Sequence, residues 1–299
     1  KIMKIFDCFM YFDEDIVLNL RLNTLNKYVD HFVIVESKYN HRGQKRELLF
    51  KIDKFKKFED KIIYLIHDEV PKGIQIINTN DSHAHTSWKY IENALLRENA
   101  QRNYILKGLN IAEKNDFILV SDVDEIPNLS GLDFEKITQK IIIFRQDMFY
   151  YKFNLTIPNL RWAGTKGCKK KYLISPQWLR NIKNRKYSFL RIDKLFSKTK
   201  YINLRPINNG GWHFSNIKTA KEIEHKLKSY LHHREFDEQP LSTNQIEEII
   251  KNKKAIYDLK VDKTVNKVGN GSDLEKFQMK KLPQYIQENQ SIYSEWLEK

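Results

Sequence analysis

Three carboxylates follow a short hydrophobic run near the middle of the sequence. Phe117-Ile118-Leu119-Val120 has the pattern of a buried strand, and Ser121-Asp122-Val123-Asp124-Glu125-Ile126-Pro127 comes directly after it. Open α/β folds bind ligands beyond the carboxyl ends of their strands, and carboxylates grouped there repel one another unless a cation lies between them. Asp-x-Asp alone is common in solvated loops and helix caps. The strand pattern before it and the stop at Pro127 favour a Mg²⁺ or Mn²⁺ site that binds together with substrate phosphates.

A second motif, rich in glycine and asparagine, lies much further along the chain. Asn208-Asn209-Gly210-Gly211-Trp212-His213-Phe214-Ser215 contains two adjacent glycines, which let a backbone approach a ligand closely. His213 can serve as a neutral imidazole ligand that completes a carboxylate metal site. The competing interpretation is a turn with a packed histidine, and only the pairing with the distant Asp122 and Asp124 makes a ligand role competitive with it.

An acidic and a basic residue lie one turn apart within a predicted long helix from Trp88 to Ala112. The apolar residues that share one stripe of this helix are Trp88, Ile91, Leu95, Ile105 and Leu109. Glu98 and Arg102 fall within that stripe. They form either an i,i+4 ion pair at its edge, or an arginine that is directed at a diphosphate and oriented by Glu98.

Strand-like and helix-like segments alternate through the first half of the chain. We predict strands at Ile2–Phe12, His31–Glu36, Lys61–Ile66 and Phe117–Ser121, and helices at Glu14–Tyr28 and Trp88–Ala112. This alternation is typical of a mostly parallel sheet with right-handed crossovers. Aromatic strand-like runs follow at Ile141–Phe144 and Met148–Phe153, further strands are expected at Tyr172–Ile174 and Tyr201–Leu204, and the pattern becomes helical after Ser215.

Composition limits the classes of protein that fit. The chain has 299 residues, of which 41% are hydrophobic and 30% charged, so it can bury a sizeable core and is not disordered. No run approaches the roughly 18 apolar residues of a membrane span, and no secretory hydrophobic region opens the chain. Two cysteines far apart argue against a disulfide framework or a zinc site. We expect a cytoplasmic protein, or one whose anchor was trimmed, since the sequence begins at Lys1 and not at Met.

The net charge of +14 favours anionic partners, namely a nucleotide diphosphate, an anionic membrane surface or nucleic acid. The lysines are spread along the chain, with short clusters at 54–57 and 169–171. A nucleic-acid surface concentrates its positive charge, so we expect no nucleic-acid partner. Peripheral contact with an anionic membrane stays open.

Four blocks of the sequence resemble glycosyltransferase family 17. They are Phe6-Asp7-Cys8-Phe9 with Glu14 and Leu20-Arg21-Leu22; Asp30 to Ser37, continuing through Tyr39, Gly43 and Leu48 to Phe50; Arg97 to Arg102 followed by Ser121 to Pro127; and Gly211 to Ser215. The blocks occur in order across roughly residues 5–235. Family members transfer N-acetylglucosamine in β-1,4 linkage to mannose of eukaryotic glycoproteins, and many others are bacterial or viral.

The resemblance implies a GT-A fold, which is an α/β fold with a Rossmann-like, mixed and mostly parallel sheet flanked by helices. It implies a GT-A domain at 1–215, with a nucleotide-sugar half at about 1–127 and an acceptor half at about 128–215, and a helical C-terminal extension at 216–299 packed on it. It also implies Mn²⁺ or Mg²⁺, a UDP-sugar donor such as UDP-N-acetylglucosamine, a glycan acceptor and inversion at the anomeric carbon. The residues it assigns are Asp122, Asp124 and His213 to the metal, and Asp7, Glu36, Arg97, Arg102, Asp122, Gly211 and Trp212 to the nucleotide-sugar.

The chemistry expected of such a site is a single in-line displacement, in which a carboxylate deprotonates the acceptor hydroxyl and positive charge neutralises the leaving diphosphate. Candidates for the base are Asp147 and Glu235. Trp162, Tyr150, Tyr151 and Trp212 are candidates for stacking on sugar rings, or else core aromatics. Two alternatives stay open: an inactive nucleotide- or carbohydrate-binding protein on the same fold, and a metal-dependent nuclease or nucleotidyltransferase.

Overall fold

The computed structural model describes residues 2–185, 197–200, 203–229, 236–237, 240–257 and 271–299. Within these residues ten strands form one sheet: β1 (Ile5–Tyr11), β2 (His31–Ser37), β3 (Ile62–His67), β4 (Phe117–Asp122), β5 (Glu125–Pro127), β6 (Ile141–Tyr150), β7 (Leu155–Lys169), β8 (Leu204–Ile207), β9 (Gly211–Ser215) and β10 (Glu275–Lys276). The α-helices are α1 (Asp15–Leu25), α2 (His83–Asn103), α3 (Ile105–Gly108), α4 (Pro176–Asn181), α5 (Ala220–Ser229), α6 (Thr243–Lys251) and α7 (Gln284–Glu288).

The first half of the sheet is parallel, in the order β3-β2-β1-β4. Its strands are hydrophobic runs such as Phe32–Val35 and Phe117–Val120, and these are buried on both faces because helices cover the two sides. The carboxyl ends of β1, β2 and β4 therefore meet at one edge. The four predicted strands of this half are confirmed to within a few residues at their ends.

The second half of the sheet is mixed. β7 runs antiparallel to β4 and to β6, whereas β8 and β9 run parallel to β6, so β6 and β9 end at the same edge as β4. β5 pairs antiparallel with β9 and places Glu125 opposite His213. The predicted α/β class, with a mixed and mostly parallel sheet flanked by helices, is confirmed.

Two details of the second half differ from prediction. The first aromatic run after residue 140 and residues Met148–Tyr150 of the second form one continuous strand, β6, with register shifts where it pairs with β7, and residues 151–153 lie in the turn that follows. The strand predicted at Tyr172–Ile174 is wrong: residues Lys170–Tyr172 form a turn of 3-10 helix, whose first backbone amide is bonded to the Asp116 carbonyl. The chain thus leaves the sheet where β7 ends.

The helix predicted from Trp88 begins earlier and ends earlier than expected. α2 spans His83–Asn103, and Trp88 and Ile91, both placed in its apolar stripe, are 48% and 42% exposed. Its first half is bonded to the preceding loop through Lys89 and Asn93, and its last turn reaches the sheet through Gln101, which donates to the Val35 carbonyl. The predicted stripe therefore does not face the core along its whole length.

The C-terminal residues pack on the rest of the chain. α5 and α6 share a cluster with the ends of β6 and β7, and Leu282, Ile286 and Tyr293 are buried in the same core as α1. The division at residue 215 stays a prediction. No helix in the described ranges combines the length and the apolar character that a membrane crossing requires.

Candidate active site

A cavity of about 740 Å³ lies along the sheet edge where β1, β2, β4, β6 and β9 end. Most of its walls are formed by residues at the ends of these strands or directly after them. They are Tyr11, Phe12 and Glu14 at the end of β1; Ser37 and Tyr39 at the end of β2; Asp122 and Asp124 at the end of β4; Met148 and Tyr150 on β6; and His213 and Ser215 on β9. Arg102 from α2 and Leu227 from α5 close the sides. This is the edge at which the sequence predicted a ligand site.

Asp122 lies between two arginines. Its Oδ1 accepts from Arg102 at 3.0 Å, and its Oδ2 accepts from Arg180 at 3.0 Å. Burial opposes ionisation of this carboxyl, but the charges of Arg180 and Arg102 outweigh burial and hold the pKa of Asp122 well below its usual range. Arg102 also donates to Glu98 at 2.7 Å, which is the i,i+4 ion pair expected from the sequence, while its contact with a diphosphate stays a prediction.

Glu125, the third carboxylate of the motif, is fully buried and does not reach the cavity. Arg180 donates to both of its oxygens, at 2.6 and 2.9 Å, and Trp162 Nε1 donates to it at 2.7 Å. Its Oε2 also accepts from the Asp122 amide at 3.0 Å. Sequence reasoning missed Arg180, because this residue lies on the six-residue helix α4 and no periodic pattern marks it.

Asp124 and His213 face each other across the β5–β9 pairing. His213 Nε2 is 3.4 Å from Asp124 Oδ1. Burial opposes the charged form of both groups. The opposite charge and the hydrogen bond prevail, lowering the pKa of Asp124 and raising the pKa of His213. His213 Nδ1 is buried and has no hydrogen-bond partner among the described atoms. The Asp-x-Asp motif and the motif that contains His213, although distant in sequence, therefore lie at one site, as predicted.

These side chains do not form a ready three-ligand metal centre. No group of three or more His, Cys, Asp or Glu side chains in the described part of the chain is arranged to hold a metal ion, and both oxygens of Asp122 are committed to arginines. Asp124 and His213 are an oxygen and a nitrogen donor side by side on the cavity wall. Two such donors leave most ligand positions of a divalent ion open for water or substrate phosphate oxygens.

The two ends of the cavity differ in chemistry. Near β1 and β2, the guanidinium of Arg46 lies 4.1 Å from the centre of the Phe12 ring. Near β6 and β7 the wall is apolar and aromatic, formed by Met148, Tyr150, Leu160, Trp162, Leu227 and Tyr257. The Trp162 ring centre is 5.3 Å from that of His213, so this wall begins next to the Asp124–His213 pair.

Several predicted site residues lie away from the cavity. Asp7 is fully buried and both of its oxygens accept from Arg21, so it is not available for direct contact with a nucleotide-sugar. Glu36 is also fully buried, where it accepts from the amides of Leu49 and Phe50 and from the Tyr64 hydroxyl. Both carboxylates hold local backbone or side chains in place.

Gly211 and Trp212 serve the packing of β9. Gly211 has φ +111°, and a Cβ there would lie 2.2 Å from the Ile126 carbonyl oxygen, so the residue permits close strand contact and does not line the cavity. Trp212 packs against the core and donates from Nε1 to the Lys281 carbonyl. Arg97 lies in a smaller side cavity of about 80 Å³, under Gly43, and donates to the His41 carbonyl.

Of the two candidate bases, Asp147 is described by the structure and does not line the cavity. Asp147 alternates with Met148 along β6, so the side chains point to opposite faces of the sheet, and Asp147 forms an ion pair with Arg161. Glu235 lies outside the described residues. In the part of the chain that the structure describes, the carboxylates that line the cavity are Glu14, Glu98, Asp122 and Asp124. Among the proposed stacking aromatics, Trp162 is partly exposed there, whereas Tyr150 and Tyr151 are each 1% exposed.

Comparison with known proteins gives a family match and structural neighbours. The model of Glycosyltransferase family 17 matches residues 1–297. A search of curated proteins finds no significant match. Among solved structures the chain is similar to HddC from Yersinia pseudotuberculosis complexed with GMP-PN, with a TM-score of 0.29 and 12% identity, over 69% of this chain and 90% of that one.

Proposed function

The chain belongs to glycosyltransferase family 17, and we propose that it transfers N-acetylglucosamine from UDP-N-acetylglucosamine to a glycan hydroxyl, with inversion at the anomeric carbon. The observation that carries this proposal is the cavity at the carboxyl edge of the sheet. There Arg102, Asp122, Asp124 and His213 come together from three separate parts of the sequence. The donor and acceptor sugars are inferred from the resemblance of the sequence blocks.

The donor diphosphate is proposed to bind at the Arg102 end of this group. Arg102 lines the cavity, and its Nε is buried without a hydrogen-bond partner among the described atoms, so it has donor capacity that Glu98 and Asp122 leave unused. Arginine binds phosphate oxygens through paired N–H groups. The Arg102 charge would stabilise the leaving diphosphate.

The acceptor glycan is proposed to lie against the apolar wall beyond His213. Trp162 offers an aromatic ring there, and its Nε1 is fixed by Glu125, so the ring is already oriented before a sugar binds. Aromatic rings pack well against the apolar faces of sugar rings and lose little conformational entropy in doing so. An acceptor on this wall would be adjacent to the Asp124–His213 pair, beside the diphosphate site proposed at Arg102.

Glu14 is our candidate for the base that deprotonates the acceptor hydroxyl. Of the four carboxylates that line the cavity within the described residues, Glu98 and Asp122 are paired with Arg102, and Asp124 is paired with His213. Burial, with the nearby charge of Asp13, raises the pKa of Glu14 above its usual value, which suits a general base. Its Oε2 accepts from the amides of Phe12 and Asp13, which fixes the carboxyl group at the end of β1.

A divalent cation forms a further part of the proposal. Asp124 and His213 would hold Mn²⁺ or Mg²⁺, and the ion would add positive charge beside the diphosphate when bound. We also propose a cytoplasmic location and a peripheral contact between this chain of net charge +14 and anionic lipid. Binding of the protein to vesicles with and without anionic lipid tests that contact.

The test of the proposed function is nucleotide release from a panel of nucleotide-sugars, with and without a mixture of glycan acceptors. We expect release from one UDP-sugar, stimulated by acceptor and reduced at least about a hundredfold in Asp124→Asn. Asp133→Asn is the matched control, since Asp133 is an exposed carboxylate paired with Lys136. Binding of a nucleotide-sugar without any turnover would favour the inactive binding protein, and no interaction with any member of the panel would contradict the proposal.

A further inference from the structure

Arg21 is a charged residue in the centre of the core. It lies on α1, is 0% exposed, and its guanidinium is stacked 4.5 Å from the centre of the Phe9 ring. Asp7 on β1 is equally buried and accepts from Arg21 Nε at 2.8 Å and from Nη2 at 2.6 Å. An arginine in the core is costly unless all of its N–H groups are bonded. The acceptors of the remaining Arg21 N–H groups therefore show which part of the chain the Asp7–Arg21 pair holds in place.

The remaining donors of Arg21 are all directed at the turn that carries the acidic motif. Nη1 lies 3.1 Å from the carbonyl oxygens of Asp122 and Val123 and 2.8 Å from that of Glu125. Nη2 donates to Ser121 Oγ at 2.9 Å. Buried carbonyls need donors, and here one side chain supplies donors to three of them.

The same turn is held from its other side by Glu125 and Arg180. Glu125 accepts from the Asp122 amide, while Arg180 binds both Glu125 and the Asp122 side chain. Arg21 and Glu125 thus fix the backbone between β4 and β5 from two directions. The side chains that leave this turn toward the cavity are Asp122 and Asp124.

We propose that Asp7 and Arg21 are a positioning pair for the reaction, which fixes the turn so that Asp122 and Asp124 are presented to the donor diphosphate. This inference rests on the proposed function for its kinetic consequence, but its structural consequence is independent of it. Asp7 neutralises and orients the guanidinium, and the guanidinium holds the carbonyls of the turn. Neither residue touches substrate. Loss of the charge at position 7 loosens the turn and leaves the strands on either side in place.

The experiment compares Asp7→Asn with Asp116→Asn. Both aspartates are buried at strands of the same sheet, and Asp116 accepts from the amides of Lys4 and Glu113 at the opposite, amino-terminal edge. Hydrogen exchange is measured for peptides that cover residues 117–127 and 62–67, at a temperature where all proteins are folded. We expect the amides of the turn to exchange about tenfold faster in Asp7→Asn alone, with β3 unchanged. Equal exchange of the turn in Asp7→Asn and wild type overturns the proposal.

The kinetic arm separates positioning from a general loss of stability. For Asp7→Asn we expect kcat/KM for the nucleotide-sugar to fall about tenfold to a hundredfold, with KM for the acceptor unchanged, whereas Asp116→Asn keeps wild-type kinetics while folded. An equal loss in both variants overturns the positioning role. If wild type turns over no nucleotide-sugar, the proposed function fails and hydrogen exchange alone decides the pair. If Asp7→Asn does not fold, Ser121→Ala replaces it, with a smaller change expected in the same direction.

Discussion

Arg102 is hydrogen-bonded to two carboxylates and also lines the cavity. It donates to Glu98 and Asp122, so a diphosphate bound there would meet an arginine already oriented by the protein. We predict that Arg102→Gln raises KM for the nucleotide-sugar about tenfold to a hundredfold, the loss expected for a charge-assisted hydrogen bond. Steady-state kinetics of nucleotide release measure it. Arg97→Gln is the comparison, since Arg97 lies in the side cavity. An equal effect there would support the contact predicted for Arg97 from sequence.

Glu14 and Asp147 offer a second pair of matched substitutions. Glu14 lines the cavity with a raised pKa, whereas Asp147 faces away and is paired with Arg161. We predict that Glu14→Gln lowers kcat by about 10² to 10⁴ and that Asp147→Asn leaves kcat unchanged. The pH profile of kcat in wild type should lose activity as pH falls through the pKa of Glu14, because the base must be ionised. A rise in donor KM at constant kcat in Glu14→Gln would instead identify Glu14 as a donor contact.

The placement of Asp124 and His213 leads to a prediction about metal binding. Two donor side chains alone bind a divalent cation weakly, and phosphate oxygens would supply the further ligands. We predict that Mn²⁺ alone shifts the Tm by less than about 1 °C, and that Mn²⁺ with UDP shifts it by more than the sum of the separate effects. His213→Ala should abolish the extra shift and keep the shift with UDP alone. A large shift with Mn²⁺ alone would show that Asp122 leaves its arginines to complete an ion site.

At the scale of elements, the sequence predicted what depends on strong local patterns. Runs such as Phe32–Val35 and Phe117–Val120 are hydrophobic enough to predict buried parallel strands, and carboxylates at their ends are then placed at one edge. The approach of His213 to Asp124 came from two motifs and the family resemblance. The role of Arg180 and the burial of Asp7 could not be predicted. Which charged residues become buried depends on their tertiary partners, and the periodicity of a local sequence does not show those partners.

The helix α2 illustrates that limit, and it allows a test. Its spacing predicts one apolar stripe, yet Ile91 is 42% exposed while Ile105, in the separate helix α3, is 0% exposed. We predict that Ile91→Ala changes the free energy of unfolding by no more than about 0.5 kcal/mol, and that Ile105→Ala costs about 2–5 kcal/mol. Urea unfolding followed by circular dichroism measures both. Equal losses would mean that the first half of α2 is covered in solution.

At the scale of the whole molecule, the last residues of the chain belong to the central core. The Tyr293 side chain is 0% exposed and its hydroxyl donates to Asn19 on α1 at 3.0 Å. Asn154, in the turn between β6 and β7, exchanges hydrogen bonds with the Glu298 backbone at 2.9 and 2.7 Å. These contacts join the two ends of the sequence around the sheet, so the segment after residue 215 contributes to the core that holds β1 and α1.

A truncation tests whether that segment can be separated from the domain predicted at 1–215. We predict that a chain ending at Lys281, which lacks Leu282, Ile286 and Tyr293, loses its cooperative unfolding transition, because the core under α1 would open to water. Ile292→Ala in the full chain is the control, since Ile292 is 55% exposed beside Tyr293 and its truncation should leave the midpoint unchanged. Urea unfolding followed by tryptophan fluorescence distinguishes the two. A truncated chain with the wild-type midpoint would show that residues 282–299 are dispensable for the fold of the domain predicted at 1–215.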